Sequence, residues 1–307
     1  MKCVVVGGAG FIGSHLAERL LSAGHAVRIF DQHDRGSAGW AAGRRDIEWV
    51  RGDFLSPEDV RAAIAGCQAV FHLAWTTLPR SSNEDPVADV ATNVIGTLHL
   101  LEAWRREAGG KFVFVSSGGT VYGVPRMVPI TEEHPTHPIT SYGITKLTIE
   151  KYLELYRVLH GVDYCVLRIA NPFGERQRVA SGQGAVTTFL HHAHRNEPIE
   201  IWGDGSVVRD YLYVGDVAEA LARTLDYRGD SRVINIGGGV GRDLNQVLAA
   251  IESVIGRPVN RRYLPGRKFD VPANVLDIRL ARTELGWQPV TPFEDGLRRT
   301  LRWVAGA

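Results

Sequence analysis

Lys2-Cys3-Val4-Val5-Val6-Gly7-Gly8-Ala9-Gly10-Phe11-Ile12-Gly13 opens the chain and decides its fold. Lys2 to Val6 is a short apolar run of the kind that forms a buried parallel strand. It ends in a glycine-rich turn, and Ser14-His15-Leu16-Ala17-Glu18-Arg19-Leu20-Leu21 then has helical spacing. Gly7 and Gly8 let the chain turn sharply, Gly10 removes a Cβ where a pyrophosphate must approach the backbone, and Gly13 lets helix and strand pack closely. Phosphates then rest on the unpaired N–H groups of the helix start. The glycines follow a strand and precede a helix, which is the context a dinucleotide site requires.

A chain of 307 residues, 44% of them hydrophobic, can bury a full α/β core. Lys plus Arg number 35 against 34 Asp plus Glu, so no basic excess points to nucleic acid or an anionic membrane as partner. The first strand starts at residue 2 and no long apolar span follows, which predicts a cytoplasmic protein. Cys3, Cys67 and Cys165 are far apart in or beside apolar segments and are expected as buried free thiols. His191, His192 and His194 are expected on a solvated helix face, with no metal site.

A second strand, Ala26 to Phe30, ends at Asp31, eighteen residues after Gly13. A carboxylate there accepts both ribose hydroxyls of an adenosine and repels a 2′-phosphate, favouring NAD over NADP. His33 and Arg35 follow closely enough to soften that preference. Ile47 to Val50 is a third strand with Asp53 and Phe54 just past its end, near where an adenine would lie. Ser56-Pro57-Glu58-Asp59 has the capping serine, proline and acids of a helix start. Ala69 to Ala74 is a fourth strand, Asp85 to Glu107 a long amphipathic helix, and Lys111 to Val115 a fifth strand running into the turn Ser116 to Gly123. Alternating strands and helices predict an α/β fold, a Rossmann doubly wound parallel sheet, with ligands at the carboxyl ends of the strands. Ser141-Tyr142-Gly143-Ile144-Thr145-Lys146 then opens a helix reaching about Leu159. Tyr142 and Lys146 share a helix face, so a phenol and an ammonium enter the same cleft. The ammonium and an oxidised nicotinamide are together expected to favour the phenolate and bring the phenol, ordinarily near pH ~10, toward the working range.

Gly7 to Gly13, Asp31, Asp53, the Ser116 to Gly123 turn and Tyr142/Lys146 together resemble the extended short-chain dehydrogenase/reductase superfamily, most closely its nucleotide-sugar epimerases and dehydratases. Arg168 to Gln177, Gly203 to Ala218, and Arg267-Lys268-Phe269-Asp270 followed by Leu285-Gly286-Trp287 extend the resemblance over essentially the whole chain. The resemblance implies an NAD-binding Rossmann domain at 1–170 with a return segment at about 205–232, and a discontinuous sugar-nucleotide lobe at 171–307. It implies NAD contacts from Gly7, Gly10, Phe11, Ile12, Gly13, Asp31, Asp53, Phe54, Leu73, Ala74, Asn93, Ser116, Tyr142 and Lys146. It implies substrate contacts from Thr120, Asn171, Arg209, Arg267, Asp270 and Asn274, the arginines facing the diphosphate. A homodimer, paired through the helices that hold Asn93 and Tyr142, is implied as well.

The chain departs from the family pattern at several places. The family's catalytic Ser or Thr falls four residues before Tyr122, where this chain has Gly118, leaving Thr120, which is favoured, or Ser117 to supply the hydroxyl. The Asp-Glu pair that dehydratases need is replaced by Gly119 and Thr120, and the decarboxylases' glutamate is absent. Trp75 stands where relatives commonly keep a small residue. The resulting expectation is NAD-dependent C4 epimerisation of a UDP-hexose, with Tyr142 as base, Lys146 lowering its pKa, and Thr120 or Ser117 assisting. A dehydrogenase or 4-ketoreductase, or a non-catalytic NAD sensor, are the alternatives. Asn274 stands where a tyrosine in some relatives restricts the sugar, so N-acetylhexosamines or uronic acids are expected to fit beside glucose and galactose.

Overall fold

Val4, Val5 and Val6 are almost wholly shielded from solvent, and around them the computed structural model builds a parallel sheet. Residues 1–107, 109–179, 184–266 and 271–306 are described. In chain order the strands are β1 (Lys2–Val6), β2 (Ala26–Asp31), β3 (Ile47–Arg51), β4 (Ala69–His72), β5 (Lys111–Ser117), β6 (Asp163–Ile169) and β7 (Asn171–Phe173). They continue as β8 (Ile199–Trp202), β9 (Val208–Tyr213), β10 (Val233–Ile236), β11 (Gly241–Asp243), β12 (Arg261–Leu264) and β13 (Ala273–Asn274). The helices used below are α1 (Phe11–Ser22), α2 (Pro57–Ile64), α3 (Pro79–Glu84), α4 (Pro86–Asp89), α5 (Gly96–Arg106), α6 (Ser141–His160) and α7 (Ala185–His194).

The chain divides into two compact units, one of 1–123, 135–168 and 218–234, the other of 124–134, 169–217 and 235–307. The first holds a seven-stranded sheet in the order β10-β6-β5-β4-β1-β2-β3. β1 pairs in parallel with β2 and β4, so consecutive strands reverse direction of travel across the sheet at β1, the switch point where doubly wound sheets bind ligands. The core beside it packs Phe112, Phe114, Trp104 and Leu101 against the β4 and β5 faces, as strands buried on both faces require. In the second unit β9 is the hub, antiparallel to β11 and parallel to β7 and β13, while β12 and β8 form a separate parallel pair. No described helix is long and apolar enough to cross a membrane.

Two elements differ from their sequence expectation. The helix expected over 85–107 is interrupted by a π-helical turn, Val90–Ile95. Asn93 turns its amide to Asp89 and Thr77, while Thr92 and Thr97 hydroxyls bond the carbonyls of Ala88 and Asn93, competing with the regular ladder. The fourth strand stops at His72, because the N–H groups of Leu73 and Ala74 both turn back to the Val6 carbonyl.

Candidate active site

The glycine turn after β1 is shaped by close backbone approach. Gly7 has φ +83°, and a Cβ there would lie 2.6 Å from the Ala74 nitrogen. A Cβ at Gly13 would lie 2.5 Å from the Gly7 carbonyl oxygen, so α1 sits directly on the turn. The helix begins at Phe11 with no side-chain cap and no acid in its first turn, which leaves its leading N–H groups for an anion. Asp31 reaches the same turn, its Oδ2 accepting from the Ala9 N–H at 3.0 Å and its Oδ1 from the His33 N–H and ring at 3.1 and 2.9 Å. Arg35 donates to the Ile47 carbonyl and is tied to β3. An uncapped helix start, a glycine cradle and a carboxylate at the end of β2 fit a dinucleotide without a 2′-phosphate.

Other residues expected at the cofactor are committed to the scaffold. Phe54 is a core residue against His72, and its ring fills the place a side chain at Gly96 would take. Asp53 is exposed and accepts from the Leu55 N–H at 2.9 Å. Asn93 is fully buried, accepts from the Thr76 N–H at 2.9 Å and so clasps the loop after β4. Ser116 gives its hydroxyl to Glu150 at 2.5 Å.

The helix carrying Tyr142 and Lys146 is pinned at its first turn. The leading N–H groups of Ser141, Tyr142 and Gly143 donate to Asn83 Oδ1, Ser82 Oγ and Thr140 Oγ1 at 2.9, 3.0 and 3.2 Å. Asp89, fully buried, accepts from Ser141 Oγ at 2.7 Å, Thr145 Oγ1 at 3.1 Å, Asn93 Nδ2 at 2.8 Å and Thr77 Oγ1 at 2.5 Å, the number of bonds a buried carboxylate needs. Lys146, 2% exposed, donates to the Val115 carbonyl at 2.8 Å. Its Nζ lies 3.6 Å from the centre of the Trp75 ring, and that ring meets Tyr142 edge-on at 5.8 Å.

Burial dominates the electrostatics of the pair. Burial pushes the Tyr142 phenol above its usual pKa, and the Asp89 carboxylate adds to the rise. Burial also pulls the Lys146 ammonium well down, opposed by Glu150 and Asp89. Without cofactor, desolvation outweighs the mutual help of the pair.

The turn 116–123 lies beside Tyr142. A Cβ on Gly143 would stand 2.8 Å from the Thr120 carbonyl oxygen, so turn and helix meet backbone to backbone. Thr120 Oγ1 is shut off from solvent and has no hydrogen-bond partner among the described residues. Ser117 accepts at its carbonyl from Thr120 and Val121.

In the second unit a cavity of about 810 Å³ brings Asn171 and Arg209 together, with His192, Trp202, Tyr211 and Arg262 among its other walls. Asn171 donates to the Asp210 carbonyl at 3.0 Å, and Arg209 to the Val271 carbonyl at 2.7 Å. Asn274 pairs with Arg209 in the β13–β9 register, is 2% exposed and is not among the cavity's walls. Arg267 and Asp270 lie outside the described residues. His192 lines the cavity with its side chain 35% exposed and its Nδ1 3.3 Å from Glu197, while His194 is exposed. Trp202 and Arg262 were not expected here. Alternation along β8 buries Ile199 and Ile201 and turns Glu200 and Trp202 outward together, a period-two pattern visible in the sequence.

The family model described as "NAD dependent epimerase/dehydratase family" matches residues 3–237. A putative UDP-glucose 4-epimerase of Methanocaldococcus jannaschii is 35% identical over 98% of this chain and 97% of its own length. Among solved structures, the UDP-glucose 4-epimerase of Thermotoga maritima with UDP-glucose has 36% identity and a TM-score of 0.94, covering 100% of this chain and 99% of that one. The UDP-glucose 4-epimerase of Thermus thermophilus in complex with NAD has 34% identity and a TM-score of 0.91, covering 100% of both chains. A dinucleotide cradle, a buried Tyr/Lys pair and a family match spanning most of the sequence agree: this chain belongs to the NAD-dependent epimerase/dehydratase family.

Proposed function

We propose that this chain is an NAD-dependent 4-epimerase of a UDP-hexose, an isomerase that inverts C4 through a transient 4-keto sugar. The observation that carries the reading is the Tyr142/Lys146 pair, held one helical turn apart by a fully capped α6, with the partnerless Thr120 hydroxyl beside it. The turn Gly7–Gly13, the start of α1 and Asp31 hold the dinucleotide, with Leu73 and Ala74 closing the turn from behind. NAD, when bound, brings a positive nicotinamide that accepts a hydride and returns it.

Tyr142 takes the proton of the sugar 4-hydroxyl and gives it back, as general base and then acid. Lys146 in its charged form favours the phenolate. Thr120, favoured over Ser117, donates or accepts at the same sugar oxygen, because its buried hydroxyl has no partner among the described residues. No carboxylate stands at 119–120, so nothing there removes water from the sugar. In the second unit Arg209, at the cavity wall, and Arg267 are assigned to the nucleotide diphosphate, Asn171 to the diphosphate or sugar and Asp270 to the nucleoside ribose. Asn274, smaller than tyrosine, leaves the sugar class open to hexose, N-acetylhexosamine or uronic acid.

The active form is proposed to be a homodimer of cytoplasmic chains. Ile144, Leu155, Val158 and Leu159 make an exposed apolar stripe on α6, joined by Val90 and Ile95 of the adjoining helical segment. The three free cysteines suit a reducing compartment. The test of the activity is to incubate the enzyme with UDP-glucose, UDP-N-acetylglucosamine and UDP-glucuronic acid without reductant and follow H1 and H4 by proton NMR. Galacto product with no net absorbance change at 340 nm is expected. Net NADH formation or consumption would replace the epimerase reading with a dehydrogenase or ketoreductase one.

A further inference from the structure

Trp75 follows the last residues of β4 and is drawn over the catalytic helix. Its ring centre lies 3.6 Å from Lys146 Nζ, close enough for direct contact between the ammonium and the π face. Phe114 presents a second ring to the same nitrogen at 4.8 Å, and Trp75 leans on Phe114 at 6.1 Å and on the Tyr142 edge at 5.8 Å. The indole N–H has no hydrogen-bond partner among the described residues, so ring contacts and the cation, not its polar edge, set the position. Among the described residues, Lys146 Nζ donates one hydrogen bond, to the Val115 carbonyl. An ammonium that is 2% exposed needs more than one such contact to stay charged.

We propose that Trp75 is a positioning residue for the catalytic pair, its indole face holding the Lys146 side chain in the ammonium form beside Tyr142. This rests on the epimerase reading only for its consequence in turnover; the contact itself concerns the free protein. The other groups that face Lys146 divide cleanly. Asp89, from the end of α4, and Glu150, on α6 itself, favour the charged form. His72 of β4 is neutral, its pKa lowered to about 3 by burial and by the charge of Lys146, and it gives no counter-charge. Tyr142, from the same helix, is a protonated phenol in the free protein and adds none either. Both carboxylates are occupied elsewhere, Asp89 by four donors and Glu150 by Arg168 and Ser116. Beyond the Val115 carbonyl, the aromatic face is therefore the stabilising contact left for the cation.

The chain has five lysines, Lys2, Lys111, Lys146, Lys151 and Lys268, so carbon-13 labelling at lysine Cε gives a countable spectrum. In the cofactor-free protein the Lys146 signal, assigned by its loss in Lys146→Met, is expected to be shifted upfield by the indole ring current. Its titration midpoint is expected to fall by about one pH unit, a tenfold change in proton affinity, in Trp75→Leu, and by less in Trp75→Phe. In the loaded enzyme the acid limb of kcat should move up in pH in Trp75→Leu, with KM for the UDP-sugar little changed. An unchanged midpoint in Trp75→Leu, or equal effects of Leu and Phe, overturns the proposal and leaves Trp75 a space-filling residue. A shifted midpoint in a protein that epimerises none of the three sugars sinks the epimerase reading and leaves the Trp75–Lys146 contact standing. Native circular dichroism of Trp75→Phe separates these outcomes from misfolding.

Discussion

Tyr142, the base of the proposed reaction, sits in an environment that by itself opposes that role. Burial and Asp89 keep the phenol protonated above its usual range near pH ~10 in the free protein, so the proton must leave as positive charge arrives. The sign is fixed: a ligand that favours the phenolate releases a proton on binding and binds more tightly as pH rises. NAD binding followed calorimetrically at pH 8 in buffers of different ionisation enthalpy should show proton release that disappears in Tyr142→Phe. The same substitution should cost about 10³-fold in kcat while leaving NAD bound, since it removes one general acid–base group and nothing from the cradle. Thr120→Val keeps the shape of the side chain and removes its hydroxyl. A loss of about tenfold or more in kcat, against little change in Ser117→Ala, would assign the missing family hydroxyl to Thr120, and the reverse order would assign it to Ser117.

At the scale of elements, what positions the pair is a buried polar lattice joining β5, α6 and β6. Glu150 and Arg168, 4% and 5% exposed, make a two-pronged ion pair with bonds of 3.1 and 2.6 Å. Arg168 also donates to the Tyr122 hydroxyl at 3.0 Å, and Ser116 to Glu150 at 2.5 Å. The turn 116–123 is thereby locked to the helix it serves. Glu150→Ala strands the guanidinium in the interior, and a loss of about 3–5 kcal/mol is expected, read as a lowered midpoint in urea. None of this lattice was legible in sequence, and the reason is distance along the chain. The strand-turn-helix of Lys2 to Leu21 could be read because its glycines, strand and helix act within a few residues of one another. The caps that Ser82 and Asn83 place on α6 come from about 60 residues away, and the carboxylate of Asp89 acts on residues more than 50 positions on. In the π-helical turn at Val90–Ile95, the bond from Asn93 to Thr77 spans 16 positions and was hidden for the same reason. Trp75 stood out in the sequence as a large residue at a small one's place, yet its partner, Lys146, could be named only from the fold.

At the scale of the whole molecule, α6 carries an apolar stripe that stands exposed in the single chain. Ile144, Leu155, Val158 and Leu159 recur at helical spacing on α6 and are 44–64% exposed, on the same helix whose other face carries Lys146 inward. Tyr156 donates to Glu102 at 2.6 Å, so α5 and α6 lie side by side and their outer faces form one surface with Val90 and Ile95. Two such surfaces meeting about a two-fold axis would bring four helices together and bury the stripe against itself, which is the self-complementary contact a symmetric dimer requires. A stable interface of standard size buries about 1,600 Å² in total, and its central residues carry most of the free energy. Ile144→Asp combined with Leu155→Asp places two carboxylates per chain at that centre, four across the axis. Multi-angle light scattering should then find a particle of 33.7 kDa, against twice that mass expected for the unsubstituted protein in the proposed dimer. Because Tyr142 and Lys146 are fixed by caps and a lattice within their own chain, the dissociated protein should still bind NAD; a double-Asp variant that stays dimeric would show that the chains pair through another face, and one that loses NAD as it dissociates would show that the capped helix needs its neighbour to hold its place.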